Sequence, residues 1–264
     1  MRLRLRLTVD RRLCTLPMNY MYFLSAWIYK TIHAGDSDFS TWLHEQGYRY
    51  ENKRFKLFTF SRVFIHPRWK RVGDRLKIFS GRAELQISFY VDQAVEHFVI
   101  GLFQNQRFTI GDRKSKAGFM VQTVERLSEP EFTPEMRFRC LSPICLSRTP
   151  DDKSTAEYLA PDAGGYAQYF FDNLLYKYLS AQPVAVTIDE MRDKMQRTQP
   201  FSLEILSDPK SHLEKIKAER PEQTFVRGYF YDFKISAPPE LLAFGYHAGF
   251  GEKNSLGFGC VEQF

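Results

Sequence analysis

Hydrophobic and polar positions alternate strictly at the start of the chain. Over residues 2–7 leucine alternates with Arg2, Arg4 and Arg6. A period of two residues predicts a strand with one buried face. The opposite face would then present three guanidinium groups, for which we expect either plain solvent exposure or contact with phosphate.

After this strand, the hydrophobic positions follow the longer period of a helix. Residues 19–34 predict a helix that Gly35 ends, and Asp36 is placed to cap a second, short helix that Gly47 closes. The other elements predicted for this half are strands at 55–65, 75–79 and 83–90, a helix at 91–105, and strands near 107–111 and 118–127. The order strand, helix, strands, helix, strand is typical of the βαββαβ ferredoxin-like fold.

The same order of elements returns in the second half. The predicted elements there are a strand at 136–147, a helix at 166–181, strands near 184–188, 201–207 and 224–235, a helix at 238–248 and a closing strand at 256–264. Two prolines and several polar residues mark 128–134 as the boundary. We therefore expect an α+β protein with two tandem ferredoxin-like (RNA-recognition-type) domains, at residues 1–128 and 135–264.

Charge is distributed unevenly along the 264 residues. Residues 1–80 contain 16 Lys and Arg against 6 Asp and Glu, a net of +10, whereas the remainder contains 21 against 25, a net of −4. A basic segment favours an anionic partner, with nucleic acid first and a membrane surface second; an inert basic surface is the alternative. Further basic residues that we expect to contribute are Arg68, Lys70, Arg71, Arg113, Lys114 and Lys116.

Several classes of protein are disfavoured. No apolar run approaches the roughly 20 residues of a membrane span, and the N-terminus lacks the apolar core of a signal peptide. The four cysteines are scattered without a CxxC pair, and no acidic cluster resembles a two-metal nuclease site. We expect a cytoplasmic protein that uses no metal and no other cofactor.

Glycine is concentrated near the C-terminus, in the segment 249–259, GFGEKNSLGFG. Its spacing fits neither a P-loop nor a dinucleotide-binding turn. Glycines beside a lysine suit a loop whose backbone amides hold phosphate, and a mobile hairpin turn is the alternative. The residues that we predict to bind an anionic ligand here are Gly249, Gly251, Lys253, Asn254, Gly257 and Gly259.

The whole block HAGFGEKNSLGFGCV closely resembles the C-terminal signature of the CRISPR-associated endoribonucleases that cut precursor CRISPR RNA within its repeats. The resemblance extends to LPMNYMYFLSAWIYKTI, WLHEQG, FKLFTFS and LSPI, in the family's order. It implies two tandem ferredoxin-like domains, repeat RNA as the partner, and cleavage without a metal. Subunits of a CRISPR effector complex and a second copy of the chain are further partners that the family leaves open.

The resemblance also implies a catalytic set of Tyr29, His44 and Lys56. RNA can be cut by its own 2′-hydroxyl, so the protein needs only to move protons and to stabilise charge on the phosphoryl oxygens. By this analogy His44 transfers protons, Lys56 stabilises charge and Tyr29 orients or assists. The implied products are a 2′,3′-cyclic phosphate and a 5′-hydroxyl end, and whether His44 or Tyr29 is the base stays open.

Each of these residues also has a purely structural explanation. His44 would cap a helix, Tyr29 would belong to the core and Lys56 would be solvated. His33 is the main rival of His44, because it lies four residues after Tyr29 on the same helix face, where it could contact RNA or carry a proton. Two functions without cleavage are alternatives: a repeat-binding or structural subunit of a CRISPR ribonucleoprotein, and a module of ordinary RNA metabolism.

Overall fold

Helices and strands alternate in two successive groups along the computed structural model, which describes residues 1–66, 68–150, 155–183, 186–217 and 222–264. The helices are α1 (Met21–Gly35), α2 (Ser37–Glu45), α3 (Asp92–Gln104), α4 (Tyr166–Ser180), α5 (Ile188–Thr198) and α6 (Pro239–Ala248).

The strands are mostly short and pair in antiparallel fashion. In the first half they are β1 (Arg2–Pro17), β2 (Tyr48–Tyr50), β3 (Lys53–Phe55), β4 (Phe58–Phe60), β5 (Phe64–His66), β6 (Trp69–Val72), β7 (Arg75–Ile78), β8 (Arg82–Phe89), β9 (Arg107–Gly111) and β10 (Lys116–Arg126). In the second half they are β11 (Glu135–Cys140), β12 (Ser147–Arg148), β13 (Glu157–Tyr158), β14 (Ser202–Ile205), β15 (Lys210–Ile216), β16 (Thr224–Phe230), β17 (Asp232–Ser236) and β18 (Val261–Gln263).

The first half forms a sheet in the order β4-β8-β1-β10-β9, with α1 and α3 between its strands in the chain. The elements β1, α1, β4, β8, α3 and β10 reproduce the predicted βαββαβ order. Leu3, Leu5 and Leu7 are buried on one face of β1, as their alternation predicts. Phe58 of β4 pairs with Phe89 at one end of the sheet, whereas β7 pairs with the other end of β1.

The second half repeats this topology. Its sheet has the order β14-β17-β11-β18, and α4 and α6 occupy the two helical positions of the βαββαβ unit. Phe138, Phe170, Phe233 and Phe250 lie together in its core. The predicted fold class of two tandem ferredoxin-like domains is confirmed.

Three predicted strands are wrong in detail because each one divides. Residues 136–147 contain the end of β11, which stops at Cys140, and reach β12 at Ser147. Residues 55–65 contribute to β3, β4 and β5, and the first break follows from Leu57, whose φ of 53° is incompatible with a continuous strand. Residues 224–235 divide into β16 and β17, with the buried Tyr231 between them. The strand β16 leaves the main sheet and pairs with β15, which the sequence pattern did not predict.

The predicted strand near 184–188 is also not found as such. Residues 184 and 185 lie outside the described residues, and Ile188 begins α5. A capping box starts this helix, because the Thr187 side chain accepts from the Glu190 amide while the Glu190 side chain accepts from the Thr187 amide. Among the described helices, none is long and apolar enough to cross a membrane.

Each half has its own hydrophobic core, and a few residues cross between them. Leu57 comes from the first half and is buried in the second core. Arg2 is 1% exposed, and its guanidinium donates to the backbone carbonyls of Val261 and Tyr246 while lying 3.6 Å from the Tyr246 ring centre. The expectation that Arg2 presents its charge to solvent or phosphate is therefore wrong, because this guanidinium joins β1 to α6 and β18.

Candidate active site

Tyr29 lies on α1 at the point where this helix contacts α2. Its ring meets the His44 ring edge-on, with 5.2 Å between ring centres and an 84° angle between ring planes. It also packs against Phe58 of β4, and its side chain is only partly exposed. The Ser255 side chain, which belongs to the glycine-rich loop, lies close enough to act on the pKa of Tyr29. Tyr29 thus lies between α2 and that loop.

His44 occupies the last turn of α2 and is exposed. The helix starts at Asp36, whose side chain accepts from the Phe39 amide, and buried Phe39 and Leu43 hold its inner face against the core. One side of the imidazole contacts the Tyr29 ring, which leaves the other ring atoms accessible to a ligand. The exposure and the fixed ring contact together suit a proton-transfer group.

Lys56 approaches the same helix end from the segment between β3 and β4. Its Nζ donates to the backbone carbonyl of His44 at 2.6 Å, and Arg54 donates to the neighbouring carbonyl of Glu45 at 3.1 Å. These bonds satisfy carbonyls that α2 leaves without a helical partner. The ammonium group has further protons, so it can stabilise the helix end and still contact an anionic ligand.

The environment shifts the pKa values of two of these three residues. Burial raises the pKa of Tyr29 to about 12, and the Ser255 side chain acts against this shift. Burial lowers the pKa of Lys56 to about 8, and the positive charges of Arg54 and Arg49 lower it further. Tyr29 is therefore neutral at physiological pH, and Lys56 is a cation that is unusually ready to lose its proton.

A basic hairpin borders the three residues. Arg49 and Arg54 face each other across β2 and β3, and both are exposed. The same hairpin reaches the second half of the chain, where Tyr50 Oη donates to the Val186 carbonyl at 2.8 Å and Lys53 lies 3.5 Å from the Tyr176 ring centre. The exposed guanidinium groups thus lie where the two halves meet.

The glycine-rich loop is closely packed against its neighbours and hydrogen-bonded through its backbone. Gly249, Gly251, Gly257 and Gly259 all have positive φ values. At Gly257 an added Cβ would lie 2.4 Å from Met21 Cε of α1, and at Gly259 it would overlap the Phe250 carbonyl oxygen. The amides of Gly249, Gly257 and Gly259 donate to the carbonyls of Gly245, Asn254 and Pro143.

The expectation that these three amides hold phosphate is therefore wrong, because internal carbonyls already accept from them. Asn254 is also committed to the loop, since its Nδ2 donates to the carbonyls of Phe250 and Phe258. Lys253 is different, because its side chain is exposed and its backbone has a left-handed φ of 57°. Within the loop, Lys253 is the side chain placed to reach a ligand.

Lys177 of α4 is a member of this region that sequence analysis missed. It is 1% exposed, and its ammonium group donates to the carbonyls of Gly249 and Gly251 and to Asn254 Oδ1. Burial lowers its pKa to about 7, and the nearby carboxylate of Glu252 acts in the opposite direction. No sequence signal marked it, because a lysine in an amphipathic helix normally indicates a solvated position.

The other predicted basic groups lie elsewhere. Arg4 and Arg6 are both within salt-bridge distance of Glu125 on the neighbouring strand, at 3.7 and 3.6 Å. The remaining basic candidates are exposed on the β6–β7 and β9–β10 hairpins: Arg68, Lys70, Arg71, Arg113, Lys114 and Lys116. An ion pair of 2.5 Å between Arg75 and Asp112 joins those hairpins, at the end of the sheet opposite to Phe58 and Lys56.

Three of the other histidines make structural contacts. His247 is buried beside Glu129 at 3.5 Å, and burial lowers its pKa to about 4, so it is neutral and poorly placed for phosphate. His212 pairs with the buried Glu214 at 3.1 Å, and His97 packs on Phe39. His33 is exposed in the last turn of α1 and stays the rival of His44. Among the described residues, no three His, Cys, Asp or Glu side chains are grouped to hold a metal ion.

Known proteins resemble the chain along its whole length. The family described as CRISPR-associated protein Cas6, N-terminal, matches residues 15–125, and the one described as CRISPR associated protein Cas6, C-terminal, matches residues 127–263. The CRISPR-associated endoribonuclease Cas6 1 of Methanocaldococcus jannaschii is 28% identical over 270 residues, which cover 99% of this chain and 92% of the relative.

Two proteins of Pyrococcus furiosus give the same result. Its CRISPR-associated endoribonuclease Cas6 is 27% identical over 93% of this chain and 83% of its own length. The solved structure of a Cas6-related gene product from this organism superposes with a TM-score of 0.80 at 25% identity, covering 100% of this chain and 98% of that one. These matches confirm the predicted family and an RNA-cutting enzyme as the activity class. The chain belongs to the Cas6 family of CRISPR-associated proteins.

Proposed function

We propose that this Cas6 protein cuts precursor CRISPR RNA within its repeats, without a metal ion, by attack of the RNA's own 2′-hydroxyl. The observation that carries the proposal is the convergence of Tyr29, His44 and Lys56. They come from α1, from α2 and from the segment before β4, yet the His44 ring contacts the Tyr29 ring and the His44 carbonyl accepts from Lys56. A proton-transfer group, a neutral hydroxyl and a cation therefore surround one accessible surface.

The pKa shifts favour a division of roles. Tyr29, with its pKa raised to about 12, keeps its proton at neutral pH and is a poor base, so it serves as a hydrogen-bond donor or as the acid. His44 is the group that takes the 2′-hydroxyl proton. The 2′-oxygen then forms a bond to phosphorus, the bond from phosphorus to the 5′-oxygen breaks, and the leaving oxygen takes a proton from Tyr29.

Lys56 completes this scheme as a charge stabiliser. Negative charge grows on the two non-bridging phosphoryl oxygens as the 2′-oxygen attacks. An ammonium group fixed at the end of α2 can meet that charge without moving. The products of the scheme are a 2′,3′-cyclic phosphate and a 5′-hydroxyl end.

The RNA would lie along the groove where the two domains meet. Exposed Arg49, Arg54 and Lys53 border this groove from the β2–β3 hairpin, and Lys253 borders it from the glycine-rich loop. Phosphate contacts of this kind position the strand and do not read its sequence. A homodimer, contacts with effector subunits and a cytoplasmic location stay predictions from the sequence.

The test compares two exposed histidines on adjacent helices. Wild type, His44→Ala and the control His33→Ala are incubated with labelled repeat RNA in excess EDTA, alongside a repeat with a 2′-deoxynucleotide before the cut. We expect wild type and His33→Ala to cut once and to leave the deoxy substrate intact. His44→Ala should cut about 10²- to 10⁴-fold more slowly while binding the repeat normally, since it loses only proton transfer.

Each departure from this pattern has a specific meaning. If His33→Ala is the slow variant, then His33 transfers the proton and His44 caps α2. Loss of wild-type cleavage in EDTA would contradict the metal-free mechanism. Wild type that binds the repeat but never cuts it would support the alternative function, a repeat-binding subunit of an effector complex.

A further inference from the structure

The buried side chain of Lys177 fixes the conformation of the glycine-rich loop. The ammonium group of Lys177 contacts two loop carbonyls, of Gly249 and Gly251, and Oδ1 of Asn254. Asn254 in turn donates to the carbonyls of Phe250 and Phe258, so both arms of the loop are tied to one side chain. Burying an ammonium group is unfavourable unless acceptors surround it, and all three acceptors of Lys177 belong to this loop.

The closed loop contacts the catalytic elements directly. The residue after Asn254 is Ser255, whose carbonyl accepts from Ser25 Oγ of α1 at 2.5 Å, one helical turn before Tyr29. Thr59 of β4, three residues after Lys56, donates to the Phe258 carbonyl at 2.8 Å. The loop therefore meets both the helix that carries Tyr29 and the strand that follows Lys56.

From this geometry we infer that Lys177 is a positioning residue for cleavage, acting through Asn254 and Ser255 on the hydroxyl of Tyr29. This inference rests on the proposed function, and it gives the glycine-rich loop a second role besides that of Lys253 in holding RNA. Lys177 is buried and does not meet the substrate. It fixes the loop, the loop fixes Ser255, and the Ser255 carbonyl holds Ser25 and with it the turn of α1 that leads to Tyr29.

Loss of the Lys177 contacts with the glycine-rich loop should affect the chemical step more than RNA binding. The RNA-binding groups named above are exposed and lie outside the Lys177 contacts. A small displacement of a catalytic group is costly in rate, however, because the reacting atoms must be aligned closely. We therefore expect Lys177→Met, which keeps the length of the side chain, to slow single-turnover cleavage about tenfold or more with the Kd for repeat RNA within about threefold of wild type.

A double-mutant cycle separates this role from a merely structural one. Lys177→Met is measured in wild type and in Tyr29→Phe, which lacks the hydroxyl. If Lys177 acts through that hydroxyl, its substitution should have almost no effect in the Tyr29→Phe background. The exposed Lys194 on α5 supplies the control, and Lys194→Met should leave the cleavage rate unchanged in both backgrounds.

Equal losses in both backgrounds, or no loss in either, would overturn the inference. If Lys177→Met does not fold, Lys177→Gln is measured in the same cycle, because its amide can still donate to a loop carbonyl. If neither variant folds, the Lys177 contacts are needed for the interface between the domains as a whole, and the specific role of Lys177 in positioning Tyr29 is overturned. Failure of the proposed function is distinguishable, since wild type itself would then not cut, or Tyr29→Phe alone would cut normally.

Discussion

Lys56 lies half-buried beside two arginines, and this environment decides at which pH it carries its charge. Burial, Arg54 and Arg49 all disfavour the ammonium form and lower the pKa of Lys56 to about 8. The cation is therefore present below pH 8 and is lost as the pH rises through that value. The pKa of Tyr29, at about 12, keeps the phenol neutral across the same range.

The rate of cleavage should therefore fall as the pH rises above about 8, since Lys56 must be charged to stabilise the phosphoryl oxygens. Lys56→Arg carries a charge that is not lost in this range, so it should remove the part of the alkaline decline that is centred near pH 8, while cutting within about tenfold of wild type at pH 7. A decline centred near pH 7 would instead belong to Lys177, whose pKa is about 7. Single-turnover rates between pH 6 and 9.5 measure both effects. An alkaline decline that persists in Lys56→Arg would assign it to another group.

The three candidate catalytic residues could be predicted because each lies in a sequence block that resembles the family. Lys177 and Arg2 could not, because a buried cation depends on acceptors from distant parts of the chain. For Lys177 these acceptors follow more than 70 residues later, and for Arg2 they lie at the opposite end of the sequence. Local pattern carries no information about such partners, so both residues had the sequence signature of solvated side chains.

At the scale of elements, the turn after α2 brings Lys56 to His44. Gly47 ends the helix with a φ of 61°, and a Cβ there would lie 2.5 Å from the Phe55 carbonyl oxygen and 3.1 Å from Lys56 Nζ. The chain therefore passes directly over the Lys56 side chain. Glycine satisfies both the left-handed backbone and the close approach.

Gly47→Ala should consequently slow cleavage, because the added methyl group displaces the segment that carries Lys56. Gly73 is a matched control, with a φ of 60° and nothing within 4 Å of its added Cβ. Gly73→Ala should cost about 1–2 kcal/mol of unfolding free energy through backbone strain alone, and Gly47→Ala should cost more, because its Cβ also clashes with the Phe55 carbonyl oxygen. Only Gly47→Ala should also lose about tenfold or more in single-turnover rate. Urea unfolding and cleavage assays on both variants provide the measurements. Equal rates in the two variants would show that the approach to Lys56 is unimportant for catalysis.

The order of elements was predictable, but their breaks were not. Periodicity identified α1, α2, α3, α4 and α6, since each has an apolar face that must be buried. It merged β3, β4 and β5 because apolar residues recur along the whole of 55–65, and the left-handed Leu57 has no local signature. Leu57 takes this conformation while its side chain is buried in the second core, an interaction that only the assembled pair of domains provides.

For the molecule as a whole, the charge distribution matches the position of the candidate site. The net charge of +10 lies in residues 1–80, which include α1, α2 and the β2–β3 hairpin. Part of this charge is not available at the surface, since Arg2 is buried and Arg4 and Arg6 share the Glu125 carboxylate. Arg49 and Arg54 remain exposed beside His44 and Lys56, so the local field at the site favours an anionic strand.

Affinity for repeat RNA should fall with salt, and Arg49 should account for a definite part of that dependence. The binding constant falls as salt rises, and each cation that contacts a phosphate of single-stranded nucleic acid makes the slope of log K against log salt steeper by about 0.7. Arg49→Ala should therefore make the slope shallower by about 0.7.

The control is Arg139→Ala on the second sheet, because the Asp232 carboxylate already holds that guanidinium at 3.0 Å. Its slope should equal that of wild type, and the measurement is a series of binding titrations from 50 to 300 mM salt for all three proteins. Equal slopes for Arg49→Ala and wild type would move the RNA away from the β2–β3 hairpin, and the basic β6–β7 and β9–β10 hairpins at the other end of the sheet would then become the preferred contact surface.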